Sequence, residues 1–253
     1  MAIFDNLKMD ASIDGAETDN LGGFKILDSG LYDTIIEKAF VQDSAKGSMG
    51  LNLHLKTADN NIVHTIIYIT SNKANGRKIY YEKKGKKLYL PNFNLANSLS
   101  LLITNKGILT LTEEDKTIKL YNFTAKKAVA TPVKMLSELV GTSVTIGLIK
   151  QEVDKKTYDK ATDTYVSTGE SKFENEIDKF FRVTDGLTTT EIKAKVTTPS
   201  FKPQWEKKWK DQVRDKTTKT GITQGAPAMP NKAGTSTPAA GSGSAAPVEA
   251  LFT

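Results

Sequence analysis

The sequence predicts a mainly β domain, a barrel or a sandwich with one or two short helices, followed by a charged helix and a disordered tail. Many short segments are rich in β-prone residues, and Leu51, Leu53 and Leu55 alternate with polar residues at the period of a strand. Few segments have helical periodicity, so alternating βα units are not indicated. A small closed barrel would also leave no exposed strand edges.

The first predicted strands follow one another closely. Residues 30–41 open with a glycine turn and continue in β-prone residues, and residues 51–55 form a half-buried strand. After an Asn-Asn turn, the apolar run 62–69 is predicted to be its hairpin partner, buried on both faces. His54 and His64 lie in these strands, and we expect them to face solvent or one another.

The later segments predict further strands and two short helices. Residues 75–93 indicate a strand–turn–strand unit around Gly85, and residues 95–103 indicate a short helix. Pro132 suits the first turn of a second helix that ends at Gly141. Further strands are predicted at 118–123, 143–153 and 172–183, with a charged loop or hairpin at 155–168.

Four regions are expected along the chain: an N-terminal arm (1–27), the β domain (28–186), a charged helical extension (187–216) and a disordered tail (217–253). Trp205 and Trp209 lie one helical turn apart, so they share a face that either packs on the β domain or stacks on bases. The tail, rich in Gly, Pro, Ala and Ser, cannot bury enough surface to fold. Its apolar tip, with Leu251 and Phe252, is either a docking peptide for other proteins or a frayed end.

The charge balance favours an anionic partner. The formal net charge is +6, and only three of the 35 basic residues are arginines. A cationic surface either attracts an anion, most commonly nucleic acid, or merely keeps the protein soluble. Because lysine is a flexible point charge, such a surface suits a phosphate backbone better than base edges.

Several classes of enzyme are disfavoured. Without cysteine there is no disulfide, no thiolate nucleophile and no Cys-ligated zinc, and only two histidines occur. No phosphate-binding loop or catalytic signature is found. The acidic clusters at 113–115 and at Asp10 and Asp14 are expected to be solvated turns. We therefore expect no enzyme activity, no metal and no cofactor.

The sequence also indicates a soluble, cytoplasmic protein. The N-terminus has no basic region followed by an apolar stretch, as a signal peptide would. No segment approaches the roughly 20 apolar residues that cross a bilayer, so no membrane partner is expected. The absence of cysteine fits a reducing compartment.

Residues 77–93 carry the densest candidate binding site, since cations and aromatic rings alternate there and only Glu82 opposes the charge. Its candidate residues are Arg77, Lys78, Tyr80, Tyr81, Lys83, Lys84, Lys86, Lys87, Tyr89 and Phe93. Cations displace counterions from phosphates, and rings stack on exposed bases at about 1–3 kcal/mol per base. This pairing is typical of single-stranded nucleic-acid binding. Alternatively, the tyrosines simply form strands and the lysines protect an edge.

A second candidate set lies between two late strands, where OB barrels place a ligand-contacting loop. Its members are Lys155, Lys156, Tyr158, Lys160 and Tyr165. Three aspartates, at positions 154, 159 and 163, dilute its charge, so its signal is less specific.

Several short segments follow one another in a characteristic order and spacing over residues 30–183, more than half the chain. They are residues 30–32, 44–53, the basic-aromatic segment ending at 90–93, 99–107, 119–123, 139–141 and the strand into 154–155. In this order and spacing, the sequence resembles the single-stranded DNA-binding proteins of tailed bacteriophages, particularly those of lytic podoviruses.

The resemblance implies an OB-fold-like barrel that coats and protects unwound DNA, without sequence preference, during phage replication and recombination in the cytoplasm of an infected bacterial host cell. Some members of the family also assist a viral or host RNA polymerase. The implied partners are single-stranded DNA and, through Leu251 and Phe252, phage or host replication, recombination or RNA polymerase proteins. Such proteins commonly end in a strongly acidic tail, whereas Glu249 is the only acid near this tip, so docking would depend more on apolar contacts.

Two other interpretations stay open. The chain could be a non-catalytic virion or scaffold β protein whose basic surface only solubilises it. An enzyme with carboxylate-only chemistry is the third, although no residue constellation supports it. Binding to oligo-dT, with quenching of intrinsic fluorescence, separates the first interpretation from the second.

Overall fold

The computed structural model describes residues 25–122, 126–159, 161 and 164–218. Only the last three residues of the expected N-terminal arm, and the first two of the expected tail, fall within this part of the chain. The described residues are mainly β, with an antiparallel sheet and few helices, so the predicted fold class is confirmed at that level.

Eight of the strands in the described residues form one sheet. In chain order, the strands are β1 (Gly30–Asp43), β2 (Met49–Thr57), β3 (Ile62–Tyr68), β4 (Tyr80–Lys83), β5 (Lys86–Tyr89), β6 (Glu114–Asn122), β7 (Lys127–Met135), β8 (Ser143–Asp159), β9 (Thr164–Phe181) and β10 (Val213–Asp215). The helices are α1 (Pro91–Thr104), α2 (Thr189–Lys193) and α3 (Phe201–Trp209). Strands β4 and β5 pair only with one another, as a separate hairpin.

The main path of the sheet runs in the spatial order β3-β2-β1-β8-β9. On the side of β1 away from β2, the first half of β1 pairs with β8, and the end of β1 pairs with β7. Strand β6 follows β7, and β10 lies beside β8 as the only parallel neighbour among the described strands. No ladder joins β3 to β9 in the described part of the chain, so the sheet is open rather than a closed barrel.

The hydrophobic core lies between the inner face of this sheet and α1. Leu51, Leu53 and Leu55 of β2 are buried there, as the sequence predicts. Helix α1 contacts both β3 and β9, the two strands that do not pair, and it buries Ala96 and Leu99 in the same core. The short helix predicted from the sequence is thus confirmed, with a proline at its first position. None of the helices in the described residues is long and apolar enough to cross a membrane.

Two sequence predictions about local structure were wrong. In β3, Val63 and Ile67 are buried but Ile66 and Tyr68 are exposed, so only one face of this strand meets the core. Pro132 does not begin a helix but lies inside β7, opposite Thr117 of β6. It is tolerated there because β7 pairs with β1 only through its last two residues, which leaves the proline on an edge where no N–H is needed.

Helix α3 packs on the outer side of β8 and β9 through Trp205. The Trp205 ring is buried against Ile149 and Phe181, which confirms the packing interpretation of this residue. Its Nε1 donates a hydrogen bond to Asp178 Oδ2 at 2.8 Å. Glycine at position 147 makes room for this ring, because a Cβ there would come within 2.8 Å of Trp205 Cζ2.

Candidate nucleic-acid interface

The basic-aromatic segment forms the β4–β5 hairpin. Lys84 and Gly85 connect the strands with φ angles of 51° and 73°, as a two-residue type I′ turn requires. Because paired residues share a face, Tyr80 and Tyr89 project on one side together with Lys87. The other side carries Tyr81, Leu88, Lys83 and Lys86. Both faces of the hairpin therefore combine rings with cations.

The rings of this segment differ in their access to solvent. Tyr89 is 57% exposed and Tyr81 is 40% exposed, and the Lys87 ammonium lies 5.1 Å from the Tyr80 ring centroid. Phe93 departs from the prediction. Its side chain is 5% exposed and belongs to the core, because it lies in the first turn of α1, on the face packed against the sheet. We therefore assign Phe93 to packing and not to binding.

The base of the hairpin is anchored beside the end of β1. Arg77 forms an ion pair with Asp43, the last residue of β1, with Nη2 and Oδ2 2.6 Å apart. The backbone N–H of Lys78 donates to Ser71 Oγ at 2.9 Å. An open groove of about 610 Å³ runs beside Tyr80 and Tyr81. Part of the charge of Arg77 is thus engaged within the protein, whereas the lysines at the hairpin tip are exposed.

Sequence reasoning missed a second surface, the outer face, which we define as the side of β1–β3 that points away from the core. The register places the following residues on it: Ile35, Lys38, Phe40 and Gln42 from β1, Gly50, Asn52, His54 and Lys56 from β2, and Ile62, His64, Ile66 and Tyr68 from β3. Phe40 and Asn52 are buried, Phe40 because it packs against residues of β6 and β7. Tyr68 is 43% exposed, and its ring lies over Gly50 together with Ile66.

None of these twelve residues is acidic, but two acids of β1 adjoin them. Glu37 is exposed at the bulge between Ile36 and Lys38, and Asp33, on the same side of β1 as Ile35, accepts a hydrogen bond from Thr145 Oγ1. The sequence did not reveal this face, because β3 has apolar residues on both sides and therefore lacks the polar–apolar alternation of a half-buried strand.

Two imidazoles contact one another at the centre of the outer face, with their planes tilted by 42°. The rings of His54 and His64 have centroids 4.3 Å apart, as expected for cross-strand partners. Burial, and then the proximity of His64 and Lys38, lowers the pKa of His54 to about 4. Burial also lowers the pKa of His64. Both shifts favour the neutral imidazole, and the exposed His64 ring offers a flat aromatic surface rather than charge.

The second predicted set lies on the distal part of the β8–β9 ribbon. Tyr158 and Tyr165 pair across it, with ring centroids 5.3 Å apart, and Lys156 is exposed nearby. Lys155 forms an ion pair with Glu170 at 2.7 Å. Lys160 lies outside the described residues, as do Leu251 and Phe252.

The structure does not bring this second set together with the hairpin. Strand β8 pairs with β1 from Ile35 back to Gly30 and then continues past the start of β1. The hairpin, in contrast, is anchored at Asp43, at the opposite end of β1. The two predicted sets therefore flank the sheet at its two ends.

No protein-family model matches this chain, and no curated protein sequence matches it significantly. Within the described residues, no group of three or more His, Asp or Glu side chains is placed to hold a metal ion. Any functional assignment consequently rests on the surfaces described above.

Proposed function

We propose that this protein binds single-stranded DNA without sequence preference and coats it, using the outer face and the β4–β5 hairpin. The observation that carries the proposal is the outer face itself. The exposed side chains of Tyr68 and of three isoleucines there adjoin Lys38 and Lys56. The only acids of β1–β3 on this side are Asp33, which is hydrogen-bonded to Thr145, and Glu37 at the β1 bulge. A lysine-rich aromatic hairpin projects from the end of the same sheet. By analogy with the phage proteins that the sequence resembles, the cellular role would be in replication and recombination.

The strand order supports an OB-like arrangement as part of this proposal. Five strands follow one another as β3-β2-β1-β8-β9, which is compatible with a five-stranded, partly open barrel. Helix α1 bridges the two strands that would have to meet for closure. OB folds bind oligonucleotides across the face of their second and third strands, and the outer face includes that of β2 and β3.

The chemistry of the two surfaces suits a flexible, unpaired strand. Tyr68, His64 and the hairpin tyrosines provide flat rings, and every base has a face that can stack on them. The lysines neutralise phosphates wherever the backbone passes, because an ammonium has no directional demand. In duplex DNA the base faces are stacked inside the helix, so a duplex can interact only with the lysines of these surfaces.

The proposal is tested by comparing a fluorescein-labelled oligo-dT with a duplex of equal length. We expect oligo-dT to bind more tightly, with an affinity that falls steeply between low and high salt. Fluorescence anisotropy gives both dissociation constants. Absence of oligo-dT binding at low salt would refute the proposal and leave the virion or scaffold interpretation.

Two variants locate the interaction. Tyr68→Leu should weaken oligo-dT binding by about 1–3 kcal/mol, the contribution of one stacked base. Changing the four lysines that flank Gly85 to glutamine should lower the slope of log K against log salt by about 3, at roughly 0.7 per phosphate contact. Phe173→Leu, at an exposed ring on β9 away from both surfaces, is the matched control and should bind normally.

A further inference from the structure

The β6–β7 hairpin projects from the same end of the sheet as the β4–β5 hairpin. Strand β7 pairs with β1 only at Phe40–Met135 and Val41–Lys134, and the two strands are antiparallel. Asp43, the end of β1, is therefore level with Pro132, and the residues of β7 that precede Pro132 extend beyond it. At about 3.3 Å per residue, Lys127 lies roughly 16 Å past the level of Asp43 along the strand.

The two hairpins stand on opposite sides of β1. The β4–β5 hairpin follows β3 in the chain and contacts β1 through the Arg77–Asp43 ion pair. The β6–β7 hairpin continues the sheet from the other edge of β1. A strand that leaves the outer face at this end passes between two projecting ribbons.

We define the basic arm as residues 117–122 and 126–131, the distal part of the β6–β7 hairpin. Its charged residues are Lys119, Lys126 and Lys127, and no acid occurs between positions 116 and 137 of the sequence. The acids at the base of the hairpin are already engaged. Glu114 pairs with Lys116 at 2.9 Å, and Asp115 pairs with Lys134 at 2.7 Å. The positive charge of the arm is consequently not compensated within it.

The basic arm is exposed on one side and packed on the other. Ile118 and Leu120 pack toward Val133 and the buried Phe40, which ties the arm to the sheet. Lys119 and Tyr121 project from the opposite side, where Ala128 and Ala130 are the cross-strand neighbours. Small neighbours leave the Tyr121 ring 58% exposed. Charge and an accessible ring thus recur here, as on the β4–β5 hairpin.

We propose that the basic arm is a second contact for the same DNA strand, which it holds after the strand leaves the outer face past the end of β1. This inference rests on the proposed function. It adds that the binding footprint has two parts, so that a short oligonucleotide engages the outer face and the β4–β5 hairpin, whereas a longer one also reaches the arm.

The test uses the full chain with Lys119, Lys126 and Lys127 all changed to glutamine. Affinities for a series of oligo-dT lengths are measured over a range of salt concentrations. With long oligonucleotides, the slope of log K against log salt should fall by about 2, at roughly 0.7 per contact. With the shortest oligonucleotide that binds the wild type, the variant and the wild type should be indistinguishable.

Two further variants make the result specific. Changing Lys193, Lys195 and Lys207 to glutamine removes the same charge from exposed positions of the helical extension and should not alter the slope. Changing the three arm lysines to arginine keeps the charge and should restore the wild-type slope. An equal loss in the arm and extension variants, or no loss at any length, would overturn the inference while leaving the proposed function intact. If the wild type binds no oligo-dT, both proposals fall.

Discussion

At the scale of single residues, Tyr89 and Phe93 show that the position of a residue in its strand or helix decides whether its ring is exposed or buried. Their ring centroids are 5.1 Å apart, yet one ring is exposed on the hairpin and the other is buried in α1. Both belong to the segment predicted to bind. The sequence could not separate them, because the last strand of the hairpin and the first turn of the helix meet between them, at Leu90.

Phe93→Ala and Tyr89→Ala should therefore have opposite effects. Truncating the buried ring of Phe93 should reduce the free energy of unfolding by about 3–5 kcal/mol. Its folded fraction should still bind oligo-dT normally. Tyr89→Ala should instead weaken binding with little change in thermal stability. Thermal melting measures the stability of both variants, and anisotropy titration measures their affinity for oligo-dT. Weaker binding with unchanged melting for Phe93→Ala would show that the Phe93 ring contacts DNA.

The paired imidazoles of His54 and His64 predict an acid-sensitive fold. The pKa of His54 is about 4 in the folded protein, below the value of about 6.5 expected when unfolded. The unfolded chain therefore binds more protons between these pH values, so the free energy of unfolding falls as pH falls from about 6.5 toward 4. His64 acts in the same direction, and Lys38 beside the pair opposes protonation of His54.

Melting temperatures at pH 7.5 and pH 5 measure this effect. The wild type should melt at a lower temperature at pH 5, and His54→Gln should show a smaller decrease. This window lies above the range in which unfolded carboxylates titrate, near pH 4, so the difference between the two proteins reports on the imidazoles. Equal decreases in both proteins would show that the pair is not desolvated in solution.

At the scale of elements, the sequence predicted where strands and helices form better than it predicted which of their faces are buried. Strands β1, β2 and β8 and helix α1 were recognisable because their periodicity and their turn residues agreed. The outer face was not recognised, because apolar residues on both sides of β3 suggest complete burial. Only the position of the strand near the end of the sheet path shows that one side of it stays uncovered.

Helix α3 offers a prediction at this scale, since its packing depends on the missing side chain at position 147. Gly147→Val should displace the Trp205 ring, because even a Cβ would approach it within 2.8 Å. We expect overpacking to cost about 1–3 kcal/mol of stability, visible in thermal melting. Oligo-dT affinity should not change, because α3 covers β8, β9 and the start of β1, at Leu31, and not the outer-face residues from Ile35 onward. A parallel loss of affinity would place α3 in the interface.

At the scale of the whole molecule, composition indicated an anionic partner and the strand pattern indicated a β protein. What composition could not supply is the relative placement of charges that are distant in sequence. Lys38, His64 and Tyr68 meet only through the pairing of β1, β2 and β3, and the β8–β9 ribbon is separated from the β4–β5 hairpin by the length of β1. A basic stretch in the sequence is therefore a poor guide to the outline of a binding surface.

The proposed interface can be located directly by photo-crosslinking the full chain to an oligonucleotide containing 5-bromodeoxyuridine, followed by mass spectrometry of the crosslinked peptides. The outer face and the β4–β5 hairpin should be labelled, at Tyr68 or His64 and at one or more of Tyr80, Tyr81 and Tyr89. Crosslinks confined to the Tyr158–Tyr165 ribbon or to Trp209, or none at a concentration of DNA that saturates binding, would contradict the proposed interface.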